Sequence, residues 1–259
     1  MLIKRDMIFT PAGKNRPLHI WLPEGYDGST ERYPVMYFFD GHNLFLDEEA
    51  TYGKSWGLLQ FLQSWEKQII VVGIECGHEG NERLYEYCPY HFQGKFWGDL
   101  RGTGAETMRF MAEELKPMID REYRTYASRE ATAIGGSSMG GLMSLYAAVK
   151  YNHVYSKAAC VSSAISPCMP SLREDILASP IDPDTRVYLS WGTKEAGGKR
   201  RDKAGDYDTP AAKNNLEIAQ RIEEKGARTR VVCQRGGSHC EASWEKLVPG
   251  LMDYLWLDR

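Results

Sequence analysis

The stretch AIGGSSMGGL, Ala133 to Leu142, sets four glycines around two adjacent serines, between an apolar run of strand character and an apolar run of helix character. That much glycine at one junction marks a sharp turn where strand and helix backbones approach closely. The frame Gly136-Ser137-Ser138-Met139-Gly140 reads G-x-S-x-G, whereas centring it on Ser137 puts Met139 where the second glycine belongs. Ser138 is therefore the residue around which the turn is built. A serine-rich turn that merely caps a helix is the plainer alternative.

Working outward, short runs rich in β-branched and aromatic residues predict strands near Leu2 to Phe9, Leu18 to Leu22, Val35 to Phe39, Ile69 to Ile74, Thr132 to Gly136, Ala158 to Ser162, Arg186 to Trp191 and Arg228 to Gln234. The early runs are joined by the turn-rich PAGKNRP and PEGYDGSTERYP, which suit antiparallel neighbours. Later runs are almost continuously apolar, as parallel strands buried on both faces should be. Helical periodicity marks Trp56 to Lys67, Thr107 to Tyr123, Gly141 to Lys150, Asn215 to Lys225 and Ser243 to Leu255. The alternation predicts an α/β fold: one domain over residues 1–259, with a mostly parallel eight-stranded central sheet flanked by helices. Residues 75–104 and 195–210 are poorly patterned and read as long functional loops.

Composition narrows the function. The chain has 259 residues, 42% hydrophobic, with net charge −3. No block of like charge is longer than Lys199-Arg200-Arg201, so nothing recommends a nucleic-acid partner. There is no apolar run of about 18 residues to span a bilayer and no signal-peptide pattern, so the expectation is a soluble cytoplasmic protein. Cys76, Cys88, Cys160, Cys168, Cys233 and Cys240 contain no C-x-x-C pair and read as free thiols.

A serine at such an elbow needs a base, and in this motif class the partners follow in the order serine, acid, histidine. Two histidines follow Ser138. His153 ends the elbow helix and would point away from the strand tips. His239, in RGGSHCEASW, lies between the last strand and the last helix, at the carboxyl end of a strand where α/β sites collect. The acid should follow RVYLSWG. Glu195 is the first carboxylate there, with Asp202, Asp206 and Asp208 as competitors further along. The start of the elbow helix offers the backbone N–H of Met139 to an oxyanion. A second donor should come from the loop after the third strand, FFDGHNLF, through His42 or Gly41.

With these residues in place the chain resembles the Putative esterase family of α/β hydrolases, which includes carbohydrate esterase family 1, esterase D type enzymes and enterochelin esterases. The resemblance runs through IWLPEGYD, RYPVMYFFDGHNLF, IIVVGIECG, NERLYEY, EELKPMIDREYRT, AIGGSSMGGLMSLYAAVKY, VYLSWGTKE and GGSHCEASW. It implies an α/β-hydrolase fold and Ser138, Glu195 and His239 as the triad. Many members carry Asp where Glu195 stands, and many secreted members carry signal peptides and carbohydrate-binding modules not seen in this chain.

The expected function is a serine carboxylic ester hydrolase with no metal and no organic cofactor, acting on small acylated sugars or on hydroxycinnamoyl or acetyl esters. Trp56, Trp97 and Tyr85 are candidate rim aromatics for stacking on a substrate ring. A siderophore or other small-molecule esterase is the alternative within the enzyme class. A non-catalytic α/β-hydrolase scaffold that binds a ligand is the alternative outside it. The partner is a small-molecule ester, and the sequence assigns no oligomeric state.

Overall fold

A computed structural model describes residues 1–94, 98–195 and 207–259. The strands are β1 (Leu2–Phe9), β2 (Lys14–Trp21), β3 (Val35–Phe39), β4 (Ile70–Ile74), β5 (His91–Gly94), β6 (Gly98–Arg101), β7 (Thr132–Ser137), β8 (Lys157–Val161), β9 (Arg186–Gly192) and β10 (Arg228–Gln234). Among the described residues, eight of them form one sheet in the order β1-β2-β4-β3-β7-β8-β9-β10. The pairings of β1 with β2 and of β2 with β4 are antiparallel, and the rest are parallel. Every residue of β3, β4 and β7 is buried, which explains why these strands carry apolar residues and glycine instead of an alternating pattern.

The helices are α1 (Leu58–Ser64), α2 (Glu82–Glu86), α3 (Gly104–Phe110), α4 (Lys116–Glu122), α5 (Met139–Lys150), α6 (Met169–Ala178), α7 (Pro210–Glu223), α8 (Glu241–Trp244) and α9 (Val248–Trp256). One face of the sheet packs Tyr37, Phe39 and Ile134 against α3 to α7 through Phe110, Ile119, Leu142, Leu172 and Ile218. The other packs Met36, Phe38 and Val71 against α1 and α9 through Leu58, Leu62, Leu251 and Leu255. No described helix is long and apolar enough to cross a membrane. None of the six cysteines is joined in a disulfide.

Several elements differ from the sequence reading. Strand β2 begins at Lys14 and runs through Pro17, whose missing N–H is tolerated because the pairing of β2 with β4 begins only at Leu18. The helix expected over 107–123 begins at Gly104, and a π turn at Met111–Leu115 interrupts it. Pro117 lies just beyond that turn, and a proline ring displaces the carbonyl four residues back. Residues 75–104 are not one irregular loop: they contain α2 and the β5–β6 hairpin. Helix α6 had no counterpart in the sequence reading, although Met169, Leu172 and Ile176 are spaced for one face and Pro170 occupies the first turn. The last helix is broken into α8, a 3-10 turn at Glu245–Leu247 and α9, with Pro249 in the first turn of α9. Trp97, Asp202, Asp206 and the Lys199-Arg200-Arg201 run lie outside the described residues.

The strand order positions the site. From β3 the chain moves to β4 on one side and later to β7 on the other, so the loops leaving β3 and β7 diverge at their carboxyl ends. Such a switch point opens a crevice above the sheet, the usual place for a ligand in an open α/β sheet.

Candidate active site

Ser138 stands between the last residue of β7 and the first of α5 with φ 57° and ψ −117°, a conformation sparsely populated outside glycine. The exit of β8 holds it there. The Ser138 N–H donates to Val161 O at 3.0 Å, and Ser138 O accepts from the Ala164 N–H at 2.9 Å. The glycines are needed for space: a Cβ on Gly136 would sit 2.8 Å from the Gly140 carbonyl carbon, and one on Gly140 would sit 3.0 Å from Phe39 Cβ. Met139 opens the twelve-residue helix α5, so its backbone lies at the positive end of the helix dipole.

The loop after β3 turns through Asp40, also left-handed at φ 59°, into a 3-10 turn at Gly41–Asn43. Gly41 rests on the β4 backbone, where a Cβ would meet the Gly73 carbonyl carbon at 2.6 Å. Asp40 is clamped by a two-pronged ion pair, with Arg83 Nε and Nη2 each 2.8 Å from one carboxylate oxygen. Burial disfavours the Arg83 charge, yet Asp40 holds its pKa above the ordinary arginine value. The two residues that lead into His42 are thus held in place. His42 itself is 8% exposed, its Nε2 lies 2.9 Å from Thr51 Oγ1, and burial lowers its pKa.

Loops from β9 and β10 lace together beside the elbow. The Thr193 N–H donates to Gln234 O at 3.1 Å and the Lys194 N–H to Gly237 O at 2.8 Å. This lacing brings Glu195 to His239, with Oε2 3.2 Å from Nδ1. Glu195 Oε1 accepts from Ser162 Oγ at 2.6 Å and from the Gly192 N–H at 2.8 Å. Trp244 closes the ring: its Nε1 donates to Ser162 Oγ at 3.0 Å and its indole meets the His239 ring edge-on at 5.2 Å. Asp208, by contrast, is exposed and paired with Lys213 at 2.7 Å.

Ser138, His239, His42, His78, Arg83 and Glu241 line one cleft of about 440 Å³ at the switch point. Its walls are polar, which suits an oxygen-rich ligand. Cys76 also lines it, but burial, with Asp40 adding to the effect, pushes its thiol far up and keeps it protonated. Burial likewise raises the Glu241 carboxyl.

The structure corrects Trp56. It is 2% exposed and packed between Phe38 and Trp244, with ring centroids 5.9 and 5.7 Å away, so its face is not available to a ligand. Tyr85 is exposed but lines a separate groove with Phe9, Pro11 and Glu106. Among the described residues, the exposed aromatic on the cleft is Tyr52. His153 is exposed beyond the far end of α5, stacked on Tyr151. Sequence reading missed Ser162, Trp244 and the Asp40–Arg83 pair. Ser162 lies just past the tip of β8, between the strands that carry Ser138 and Glu195, an adjacency that appears only in the folded sheet.

Residues 10–254 match the family described as Putative esterase. The uncharacterized protein YbbA of Bacillus subtilis is 24% identical over 249 residues, 93% of each chain. The esterase Rv1288 of Mycobacterium tuberculosis is 33% identical over 164 residues, 63% of this chain and 31% of that protein. Among solved structures, an IroE-like serine hydrolase from Shewanella oneidensis superposes with TM-score 0.74 at 22% identity, covering 97% of this chain and 79% of that one. The siderophore hydrolase EstA from Aspergillus nidulans gives 0.73 at 17% identity, covering 100% and 95%. A ferulic acid esterase gives 0.66 at 14%, covering 98% and 97%. At these identities the structural likenesses speak for the fold.

Proposed function

Because the chain belongs to the Putative esterase family, we propose that it is a serine carboxylic ester hydrolase with Ser138 as nucleophile, His239 as general base and acid, and Glu195 as the orienting acid. In this reading Ser138 Oγ attacks the ester carbonyl while His239 takes its proton. The backbone N–H groups of Met139 and of His42 or Gly41 receive the oxyanion. His239 then protonates the departing alcohol, and water, deprotonated by the same ring, releases the acid and restores Ser138. Glu195 keeps the tautomer whose Nε2 is free to accept, and its charge stabilises the imidazolium. The observation that carries the reading is the Glu195–His239 contact, with His239 lining the same cleft as an elbow serine at φ 57°.

For substrate we favour small polar esters, acylated sugars and hydroxycinnamoyl or acetyl esters among them. With Trp56 buried, support rests on the polar cleft and not on ring stacking. The second reading is a siderophore-type ester, favoured by the likeness to the siderophore hydrolase EstA. Intact-mass labelling with a fluorophosphonate tests the chemistry. One adduct on the wild type and none on Ser138→Ala is expected, whereas no adduct on folded wild type would favour a ligand-binding scaffold. Rates on acetylated sugars, methyl ferulate and a catecholate ester then separate the substrates.

A further inference from the structure

The parallel pairing of β3 with β4, in register from Val35↔Ile70 to Phe39↔Ile74, brings the loops after both strands to one end of the sheet. Those loops carry His42 from the first and Glu75 and His78 from the second. One ligating atom from each of the three lies within 4.8 Å of the others. Thirty-odd residues separate the two loops in sequence, so no local spacing announces the group.

We propose that His42, Glu75 and His78 form a binding site for one zinc-class divalent cation at the rim of the cleft. Two imidazoles and a carboxylate are a borderline-soft donor set, suited to zinc or cobalt and poor for magnesium or calcium, which prefer oxygen alone. A second observation points the same way. His42 is 8% exposed, its Nε2 is engaged by Thr51 Oγ1 at 2.9 Å, and its Nδ1 is buried with no hydrogen-bond partner among the described residues. A buried imidazole nitrogen left unpaired is costly, and a metal bond satisfies it. The surroundings have the form of an outer coordination shell: Thr51 fixes the His42 ring, and His19 Nε2 holds Glu75 Oε1 at 2.7 Å.

His78 Nε2 now contacts Glu75 Oε2 at 2.9 Å. A cation would take the place of that hydrogen bond. Ligands about 2.0–2.2 Å from a tetrahedral zinc lie roughly 3.5 Å from one another, so His78 Nε2 and Glu75 Oε2, now 2.9 Å apart, must open slightly while any longer spacing in the group closes. His78 can supply the movement, because it is exposed and sits in Gly77-His78-Glu79-Gly80. His42 and His78 both line the cleft, so the site borders it. The inference stands apart from the role proposed for Ser138.

The test is calorimetric titration of Zn²⁺ into the full chain after EDTA treatment and buffer exchange, with Co²⁺ added separately for its visible absorption. The expected result is one equivalent of tightly bound Zn²⁺ and a Co²⁺ spectrum of low coordination number. His78→Ala should weaken binding by about a hundredfold, Thr51→Val by about tenfold, and His153→Ala not at all. A cooperative thermal transition for each variant confirms folding, and the exposed position of His78 makes its replacement tolerable. Absence of stoichiometric Zn²⁺ binding by folded wild type, or equal affinity in His78→Ala, overturns the site.

Discussion

The Glu195 carboxylate holds two loops and a histidine at once: Oε2 lies 3.2 Å from His239 Nδ1, while Oε1 accepts from Ser162 Oγ at 2.6 Å and from the Gly192 N–H at 2.8 Å. One oxygen is therefore anchored to the tips of β8 and β9 and the other presented to the ring. An anchored carboxylate orients an imidazole, whereas an exposed one such as Asp208 would have to be ordered first. Glu195→Gln should accordingly lower kcat on a p-nitrophenyl ester by about 10³- to 10⁴-fold, and Asp208→Ala should leave it within about twofold. A large loss in Asp208→Ala with a mild one in Glu195→Gln would move the acid.

With Glu195 as the proposed acid, Ser162 would act through it. Its hydroxyl donates to the carboxylate and accepts from Trp244, at a backbone φ of 46°. Ser162→Ala leaves the indole N–H and one carboxylate lone pair without their partner, at a cost of about 1–3 kcal/mol in stability. It also loosens the orienting group, so kcat should fall while KM stays put, and the acid limb of the kcat profile should move. A change in melting temperature alone would leave Ser162 structural.

How much of this was legible in the sequence can be traced residue by residue. The elbow was legible because a glycine-bracketed serine between two apolar runs admits few backbone solutions, and β7 and α5 lie where those runs are. The order of the strands was legible only as a class: alternation predicts parallel neighbours, but no periodicity says that β4 lies outside β3. Contacts that depend on that order were invisible for the same reason. Ser162 meets Glu195, and His42 meets Glu75 and His78, only because particular strand tips are adjacent. Trp56 failed differently. Composition reports an aromatic, whereas burial depends on α8 and α9 folding back over it.

Trp56 should therefore behave as core. Trp56→Ala removes a side chain packed against Phe38 and Trp244 and should cost about 3–5 kcal/mol, a loss of roughly 6–10 °C in melting temperature for a chain of this size. Trp56→Phe should cost far less, and KM for the preferred ester should be unchanged in it. A selective rise in KM with melting temperature intact would return Trp56 to the substrate.

Glu75 sets an acid limit on stability. Burial raises its carboxyl, but hydrogen bonds from His19 and His78 outweigh this and bring it down to about 2 from an ordinary 4.5. A depressed carboxylate stabilises the fold fully above its unfolded pKa, and the contribution drains away as pH falls through the folded value. The window is therefore about pH 4.5 down to about pH 2. Its depth is on the order of 2–3 kcal/mol at most, because the shift is shared with two histidines. In urea titrations carried out in EDTA, wild type should lose stability more steeply than Glu75→Gln across that window, and the two curves should converge at its acid end. Parallel curves from pH 5 to pH 2 would mean that the two imidazoles do not hold Glu75 ionised.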